Sequence, residues 1–139
     1  MAKKIHFHRA QKGRIRGIAL HQRVGNFGGC AIQSLECGFI SKEQLESARL
    51  SIKRLISKTQ KRISVPARIQ AKHVLTKKPP ETRMGKGKGT KVRAYVAKVQ
   101  KGKFIFEFAF GKRSPELLKA IQRAQLRLPL KTRITRPQR

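Results

Sequence analysis

The sequence contains no aspartate and no tryptophan, and its only acidic residues are six glutamates. Most of them stand alone, and the pair Glu43 and Glu46 lies near the expected start of a helix, where the positive helix dipole accounts for it. The chain offers no pair of catalytic carboxylates and no Ser–His–acid set. An enzymatic function therefore has little support.

Long apolar runs and clustered metal ligands are also absent. No stretch of about 18 apolar residues occurs, so no membrane-spanning helix is expected, and the N-terminus lacks the apolar core of a signal peptide. Two cysteines, Cys30 and Cys37, are too few for a four-ligand zinc site, and free thiols are favoured over a disulfide between them. His6 and His8 have no thiolate or carboxylate nearby in sequence, so contacts to phosphates or bases are favoured over a metal. No cofactor is expected.

Positive charge is what the chain has in excess. Its 139 residues include 35 Lys and Arg, for a formal net charge of +29. Folding does not require such a charge, because like charges repel in the compact state. A polyanionic partner, most commonly nucleic acid, is the simplest explanation. Residues 36–60 and 104–111 are close to neutral and predict core elements, whereas the basic segments around them predict the binding surface.

Alternating apolar residues predict several strands. We expect strands at residues 30–40 and 62–70, the second with Pro66 at an edge or bulge. Residues 92–110 predict a hairpin, in which a turn at Lys101-Gly102 joins two strands. The second of these strands carries phenylalanine at every other position, which predicts core packing in preference to stacking on bases.

Two helices are predicted from caps and apolar stripes. Ser41 and Gln44 form a capping box at the start of the first helix, which should end near Thr59. Ser114 and Pro115 open the second helix, and Pro129 should stop it. The fold class is therefore α+β, with two helices packed on a largely antiparallel sheet. We expect a single domain over residues 1–139, composed of an irregular basic arm at 1–29 and a core at 30–139. The arm is expected to be ordered only against its partner.

A glycine- and lysine-rich loop at residues 81–91 is the sharpest motif. Its centre reads Arg83, Met84, Gly85, Lys86, Gly87, Lys88, Gly89. Glycine lets the backbone approach a phosphate chain closely, and each lysine supplies a charge. A nucleotide P-loop is disfavoured, because Thr90 and Lys91 stand in reversed order and no strand-to-helix context surrounds them. A solvated hairpin tip is the alternative on these residues alone.

A second basic cluster lies in the arm, where residues 12–17 read Lys-Gly-Arg-Ile-Arg-Gly. Arginine suits bidentate and stacking contacts to nucleic acid, which favours a binding role. The alternative is an arm that only improves solubility, and the absence of any acidic residue in the first 35 positions weighs against it.

Five collinear segments carry a family resemblance. They are residues 12–17, Phe27-Gly28, residues 40–49, the loop Arg83 to Gly89, and residues 128–132. Together these segments resemble the universal L-sixteen family of large-subunit ribosomal proteins, in its bacterial and organellar form. The match covers nearly the whole chain, and the seven-residue loop is its most specific part.

The resemblance implies a concrete role. It implies a hammerhead-like α+β fold without enzymatic activity, which binds large-subunit ribosomal RNA beside the central protuberance next to neighbouring ribosomal proteins. The loop Arg83 to Gly89 would point toward the peptidyl transferase region and the acceptor arm of bound tRNA. The arginine of this motif is hydroxylated in some bacterial members, and Arg83 is the matching position. The expected ribosomal-RNA-binding residues are Lys3, Lys4, Arg9, Lys12, Arg14, Arg16, Arg23, Lys77 and Lys78.

Departures from the family pattern bear on the origin of the chain. Tryptophan, common in the middle strands of the family, is absent, and Thr90 replaces the usual asparagine after the loop. The lack of aspartate and the excess of basic charge are typical of a fast-evolving organellar lineage. Because the motifs begin within the first dozen residues, no cleaved presequence is expected. We therefore expect a mitochondrial ribosome, with a plastid or bacterial cytoplasmic ribosome as the alternatives.

Two other functions compete with this interpretation. The composition alone would suit a DNA-compacting protein of the nucleoid, and a preference for duplex DNA over structured RNA would favour it. A nucleotide-using enzyme is more distant, and failure to bind labelled nucleotide would remove it. The signature loop and the five collinear segments favour the ribosomal protein over both.

Overall fold

The computed structural model describes residues 11–19, 30–57, 65–108 and 115–135. Within these ranges the chain forms six strands and two helices. The elements are β1 (Ala31–Ser34), β2 (Gly38–Ser41), α1 (Lys42–Ser57), β3 (His73–Lys77), β4 (Lys91–Val99), β5 (Phe104–Glu107), α2 (Pro115–Gln125) and β6 (Thr132–Thr135). The predicted α+β class is confirmed, and the strands form two small antiparallel sheets, in the orders β5-β1-β6 and β2-β4-β3.

The single strand predicted at residues 30–40 is wrong, because this segment forms two strands in different sheets. The chain bends after β1, where the Ser34 hydroxyl donates to the carbonyl of Glu36 at 2.7 Å. Leu35 N also donates to Lys131 O at 2.9 Å, outside the β1 ladder. The local contact between Ser34 and Glu36 marks the bend that ends β1, after which the chain enters β2 in the other sheet.

The hairpin predicted at residues 92–110 is also wrong. A turn does form at Lys101-Gly102, closed by a 3.2 Å bond from Lys103 N to Gln100 O. However, β4 pairs with β2 and β3, whereas β5 pairs with β1. The turn therefore carries the chain from one sheet to the other. Gly102 N in this turn donates to Ser34 O at 2.8 Å, so the strand that follows, β5, pairs with β1 and not with β4.

Strand β5 is buried on both of its faces. Phe104, Ile105 and Phe106 are all buried, which confirms the predicted core role of the phenylalanines on the described part of this strand. Glu107 is 2% exposed, and Arg68 Nε lies 2.8 Å from its Oε2 atom. This pairing explains how a carboxylate is accommodated in the core.

The segment that supplies Arg68 is not the strand predicted at 62–70. Residues 65–70 make one isolated antiparallel bridge, between Ala67 and Phe106, and residues 62–64 lie outside the described residues. Pro66 has no N–H to continue a ladder, which accounts for the irregular backbone. The strands β3 and β6 were not predicted.

Both helices begin as predicted. The capping box at α1 is confirmed, since Ser41 N donates to Gln44 Oε1 at 2.9 Å and Gln44 N donates to Ser41 Oγ at 3.2 Å. Helix α2 begins at Pro115, and its cap Ser114 lies outside the described residues. The helices pack on each other, and α1 also contacts β2 and β4. Their buried stripes join the core, at Leu45, Ala48, Ile52 and Ile56 on α1 and at Leu117, Ala120, Ile121 and Ala124 on α2.

Part of the N-terminal arm lies against the core. Residues 11–19 form no helix or strand, as predicted, but Gln100 Nε2 donates to Arg16 O at 3.1 Å and Ala19 N donates to Lys101 O at 2.8 Å. The expectation that the whole arm is ordered only against its partner is therefore wrong for these residues. Cys30 and Cys37 are free thiols, as favoured by the sequence.

Candidate nucleic-acid interface

The glycine-lysine loop connects β3 to β4 and is closed at its base by Gly89. A Cβ atom at this position would lie 2.3 Å from the carbonyl carbon and oxygen of Lys77. Only glycine lets the two ends of the loop approach this closely. The base is therefore narrow, and the residues above it are held away from the core.

The tip of this loop is open to solvent. Residues 83–88 are exposed, and Met84 is fully so. Gly85, Lys86 and Gly87 have φ angles of 99°, 49° and 80°, a left-handed region that glycine adopts readily and other residues rarely. The ammonium group of Lys78 donates to the carbonyl of Gly85 and ties the tip to the end of β3.

The arm crosses the side of the second sheet that faces away from the helices. Ile40 and Ala97 are cross-strand partners in the core, so their neighbours, the paired Phe39 and Lys98, point to the opposite face. On that face the ammonium of Lys12 lies 5.8 Å from the centre of the Phe39 ring. The arm thereby places a lysine beside the loop.

The arm, the end of β3, the loop and β4 together form a groove of about 360 Å³, which we call the basic groove. The groove is lined by Lys12, Leu75, Thr76, Lys78, Lys88, Gly89 and Arg93. Four of these described residues are cationic and none is acidic. The cationic side chains converge on the groove, and Gly89 contributes backbone without a side chain. Both features suit the phosphates of a nucleic-acid chain.

Comparison with known proteins decides the family. Residues 2–135 match the model of the family described as "Ribosomal protein L16p/L10e". The chain belongs to the ribosomal protein L16p/L10e family. It is also 37% identical over 134 residues to the "Large ribosomal subunit protein uL16" of Sulfurihydrogenibium sp. (strain YO3AOP1), covering 96% of this chain and 94% of that protein.

Family membership makes this chain a structural ribosomal protein and not an enzyme. It also sets aside the DNA-compacting protein and the nucleotide-using enzyme.

In the described ranges no three His, Cys or Glu residues come together as metal ligands, and His6 and His8 lie outside those ranges. No helix in the same ranges is long and apolar enough to cross a membrane.

The structure brings together only some of the residues expected to bind RNA. Of the residues expected to bind ribosomal RNA, Lys12 and Lys78 lie in the basic groove, where they meet Lys88 of the loop that is expected to face tRNA. Arg14 and Arg16 are exposed on the arm outside that groove, and Lys77 is exposed at the end of β3, opposite Lys91. The remaining expected residues, Lys3, Lys4, Arg9 and Arg23, lie outside the described residues.

Arg93 is a lining residue that sequence reasoning missed. The pattern at residues 92–110 predicts only that Arg93 lies in a strand. One sequence signal could have identified it. Arg93 comes two residues after Lys91, where the strand that follows the loop begins, so its side chain must lie near the base of the loop. Leu75 and Thr76 were missed because β3 was not predicted, and β3 pairs with β4 through a bulge between these two residues.

A histidine lies under the arm on the same face of the sheet. The rings of His73 and Phe39 are stacked, with centres 6.3 Å apart. Burial lowers the pKa of His73 below 6.5, and the charge of Lys98 lowers it further, while a hydrogen bond with the Gln11 backbone acts in the opposite direction. The buried Nε2 atom has no hydrogen-bond partner among the described residues. His73 is therefore expected to be neutral at pH 7.

Proposed function

We propose that this structural protein of the large ribosomal subunit binds ribosomal RNA beside the central protuberance through its arm and basic groove. The observation that carries this proposal is the convergence of Lys12, Lys78, Lys88 and Arg93 in one groove without an acidic lining residue. A phosphate backbone seated there would hold the arm and the loop at the same time.

The loop has a separate role in the proposal, which is to reach the acceptor arm of tRNA near the peptidyl transferase centre. Two features support an outward-reaching role. The side chains of Arg83 and Met84 are exposed, and a Cβ at Gly85 or Gly87 would have no neighbour within 4 Å in the free protein. The tip therefore has space for a partner. Residues 83–89 contain no carboxylate and no histidine, so peptide-bond formation should need no side chain from them.

A loop variant separates anchoring from tRNA binding. Arg83→Ala with Gly87→Val removes a directional donor and places a β-branched residue at a φ of 80°, which strains the tip. Neither position lines the basic groove. The variant should enter large subunits at full stoichiometry, yet the purified ribosomes should bind tRNA more weakly and elongate more slowly. Normal tRNA binding and elongation at full occupancy would reduce the loop to an RNA-packing element.

We further propose a mitochondrial ribosome as the location of this protein. The absence of aspartate and the net charge of +29 support an organellar lineage. The test is sedimentation of the tagged chain with large subunits from isolated mitochondria. Recovery only with plastid or bacterial cytoplasmic ribosomes would contradict the location and leave the ribosomal role intact.

A further inference from the structure

A short stretch of the arm, residues 16–19, lies on the turn that carries the chain from one sheet to the other. Gln100 Nε2 donates to Arg16 O at 3.1 Å, and Ala19 N donates to Lys101 O at 2.8 Å. Both bonds use the backbone of the arm. The stretch is therefore held on the core without using its own side chains.

Cys37, which precedes β2, completes this attachment. Its thiol donates to Gly17 O at 3.4 Å and accepts a bond from Lys101 N at 3.2 Å, so one sulfur atom joins the arm to the turn. We call Cys37, Gln100 and Lys101 the arm seat. Cys37 lies 20 positions from Gly17 along the chain, and Gln100 lies 84 positions from Arg16. The fold, and not the local sequence, therefore builds the seat.

The arm has a second attachment, on the sheet formed by β2, β3 and β4. The ammonium of Lys12 lies 5.8 Å from the centre of the Phe39 ring, and the backbone of Gln11 shares a hydrogen bond with His73. Residues 13–15 span the distance between this attachment and the seat. A segment that is fixed at both ends keeps much less conformational freedom than a free arm.

The two arginines of this segment remain exposed. Arg14 lies between the two attachments, and Arg16 contributes only its backbone carbonyl to the seat. A disordered basic arm must be ordered when it binds RNA, and that loss of entropy lowers its affinity. In this protein part of the ordering is complete before RNA binds. The seat can therefore strengthen RNA binding without contacting RNA.

We propose that Cys37 and Gln100 are positioning residues for RNA binding, which hold the arm so that Arg14 and Arg16 meet ribosomal RNA phosphates in a preset geometry. Neither positioning residue is cationic, so both act through the arm and not as phosphate ligands. The apparent affinity for RNA then falls with the fraction of molecules whose arm is seated. The inference rests on the proposed RNA-binding function and adds the residues that order the arm.

Filter binding of a large-subunit ribosomal RNA transcript over a range of salt concentrations tests this inference. The variant carries Cys37→Ala with Gln100→Ala, which removes both side-chain bonds to the arm. Affinity should fall roughly tenfold, since each lost hydrogen bond lowers the seated fraction several-fold. The slope of log affinity against log salt should stay the same, because no cation is lost. Unchanged affinity, or a shallower slope, would overturn the inference.

Two controls separate positioning from a general effect on the protein. Gln122→Ala removes an exposed amide from α2, outside the seat, and should leave RNA affinity unchanged. Cys37→Ser keeps a group that can donate to Gly17 O and accept from Lys101 N, so it should bind RNA more tightly than Cys37→Ala. Equal losses in the serine and alanine variants would contradict positioning through these bonds.

Hydrogen exchange in the unsubstituted free protein tests the seat without any variant. The amide of Ala19 should exchange more slowly than an unstructured amide, because it donates to Lys101 O. Exchange at the unstructured rate would overturn the inference, even if the double variant failed to fold. Failure of the unsubstituted protein to bind the transcript would instead contradict the proposed function, so the two failures are distinguishable.

Discussion

Neutralising the basic groove should weaken RNA binding more than removing the same charge elsewhere. The test variant carries Lys12→Gln, Lys88→Gln and Arg93→Gln, all of which line the groove. Lys78 is left in place because its ammonium group also holds the carbonyl of Gly85. The three substitutions therefore remove phosphate-binding charges without cutting the tie between the loop and the end of β3.

The expected magnitude follows from counterion release. Each phosphate neutralised by a cation contributes about 0.7–0.9 to the slope of log affinity against log salt. Loss of three such contacts should make that slope shallower by about 2–3. At about 0.1 M salt, the same arithmetic predicts roughly a 10²–10³-fold loss of affinity.

The assay is filter binding of a structured large-subunit ribosomal RNA transcript over a range of salt concentrations. The matched control carries Arg49→Gln, Lys53→Gln and Lys119→Gln, which remove three exposed charges from the helices. Circular dichroism of both variants confirms that the fold is retained. Equal changes in slope for the two variants would refute the reasoning, since RNA would then respond to net charge and not to the groove.

Three further predictions concern stability. Ser41→Ala should lower the free energy of unfolding by about 1 kcal/mol, because it removes the bond that Gln44 N donates to the cap, and no loss in urea unfolding would contradict the role of that cap. Gly89→Ala should destabilise the protein by about 1–3 kcal/mol, because its Cβ would lie 2.3 Å from the carbonyl of Lys77, and an unchanged melting temperature would show that the base of the loop can widen. Stability should fall as pH drops below about 6.5, since the unfolded state binds a proton at His73 more readily than the folded state, and His73→Gln should reduce that slope in urea titrations between pH 7 and pH 5. An equally steep slope in the variant would assign the acid sensitivity to another group.

Local signals in the sequence were sufficient for the helices and for the loop. The capping box at Ser41 and the proline at 115 specify helix starts through contacts within a few residues, so they are visible without the fold. The exposed loop at 81–91 follows in the same way from glycine content. These features depend on neighbours along the chain.

The strand pairings could not be predicted in the same way, because pairing is non-local. Ile32 and Gln33 in β1 pair with residues of β6 that lie about a hundred positions later in the chain. The short, polar sequence of β6 contains no signal that predicts this pairing. The turn at Lys101-Gly102 has the composition of a hairpin, yet its Gly102 N–H bonds to Ser34 in the other sheet. In this protein, two strands that follow each other along the chain are therefore not necessarily paired in a sheet.

The same limit applies to the candidate site. Lys12 and Lys88 both belong to basic clusters that the sequence identifies, but only the packing of the arm over Phe39 brings them to one groove. Arg93 joins them because β4 continues directly from the loop. The sequence thus indicated a nucleic-acid partner from charge, whereas the surface that holds the partner required the fold.

An electron cryo-microscopy map of the large ribosomal subunit that contains this chain would test the central claim most directly. The account predicts that RNA phosphate oxygens lie within hydrogen-bond or ion-pair distance of Lys12, Lys88 and Arg93 in the basic groove. It also predicts that the loop Arg83 to Gly89 extends toward the tRNA acceptor arm. A groove open to solvent, or one filled by protein, would contradict the account.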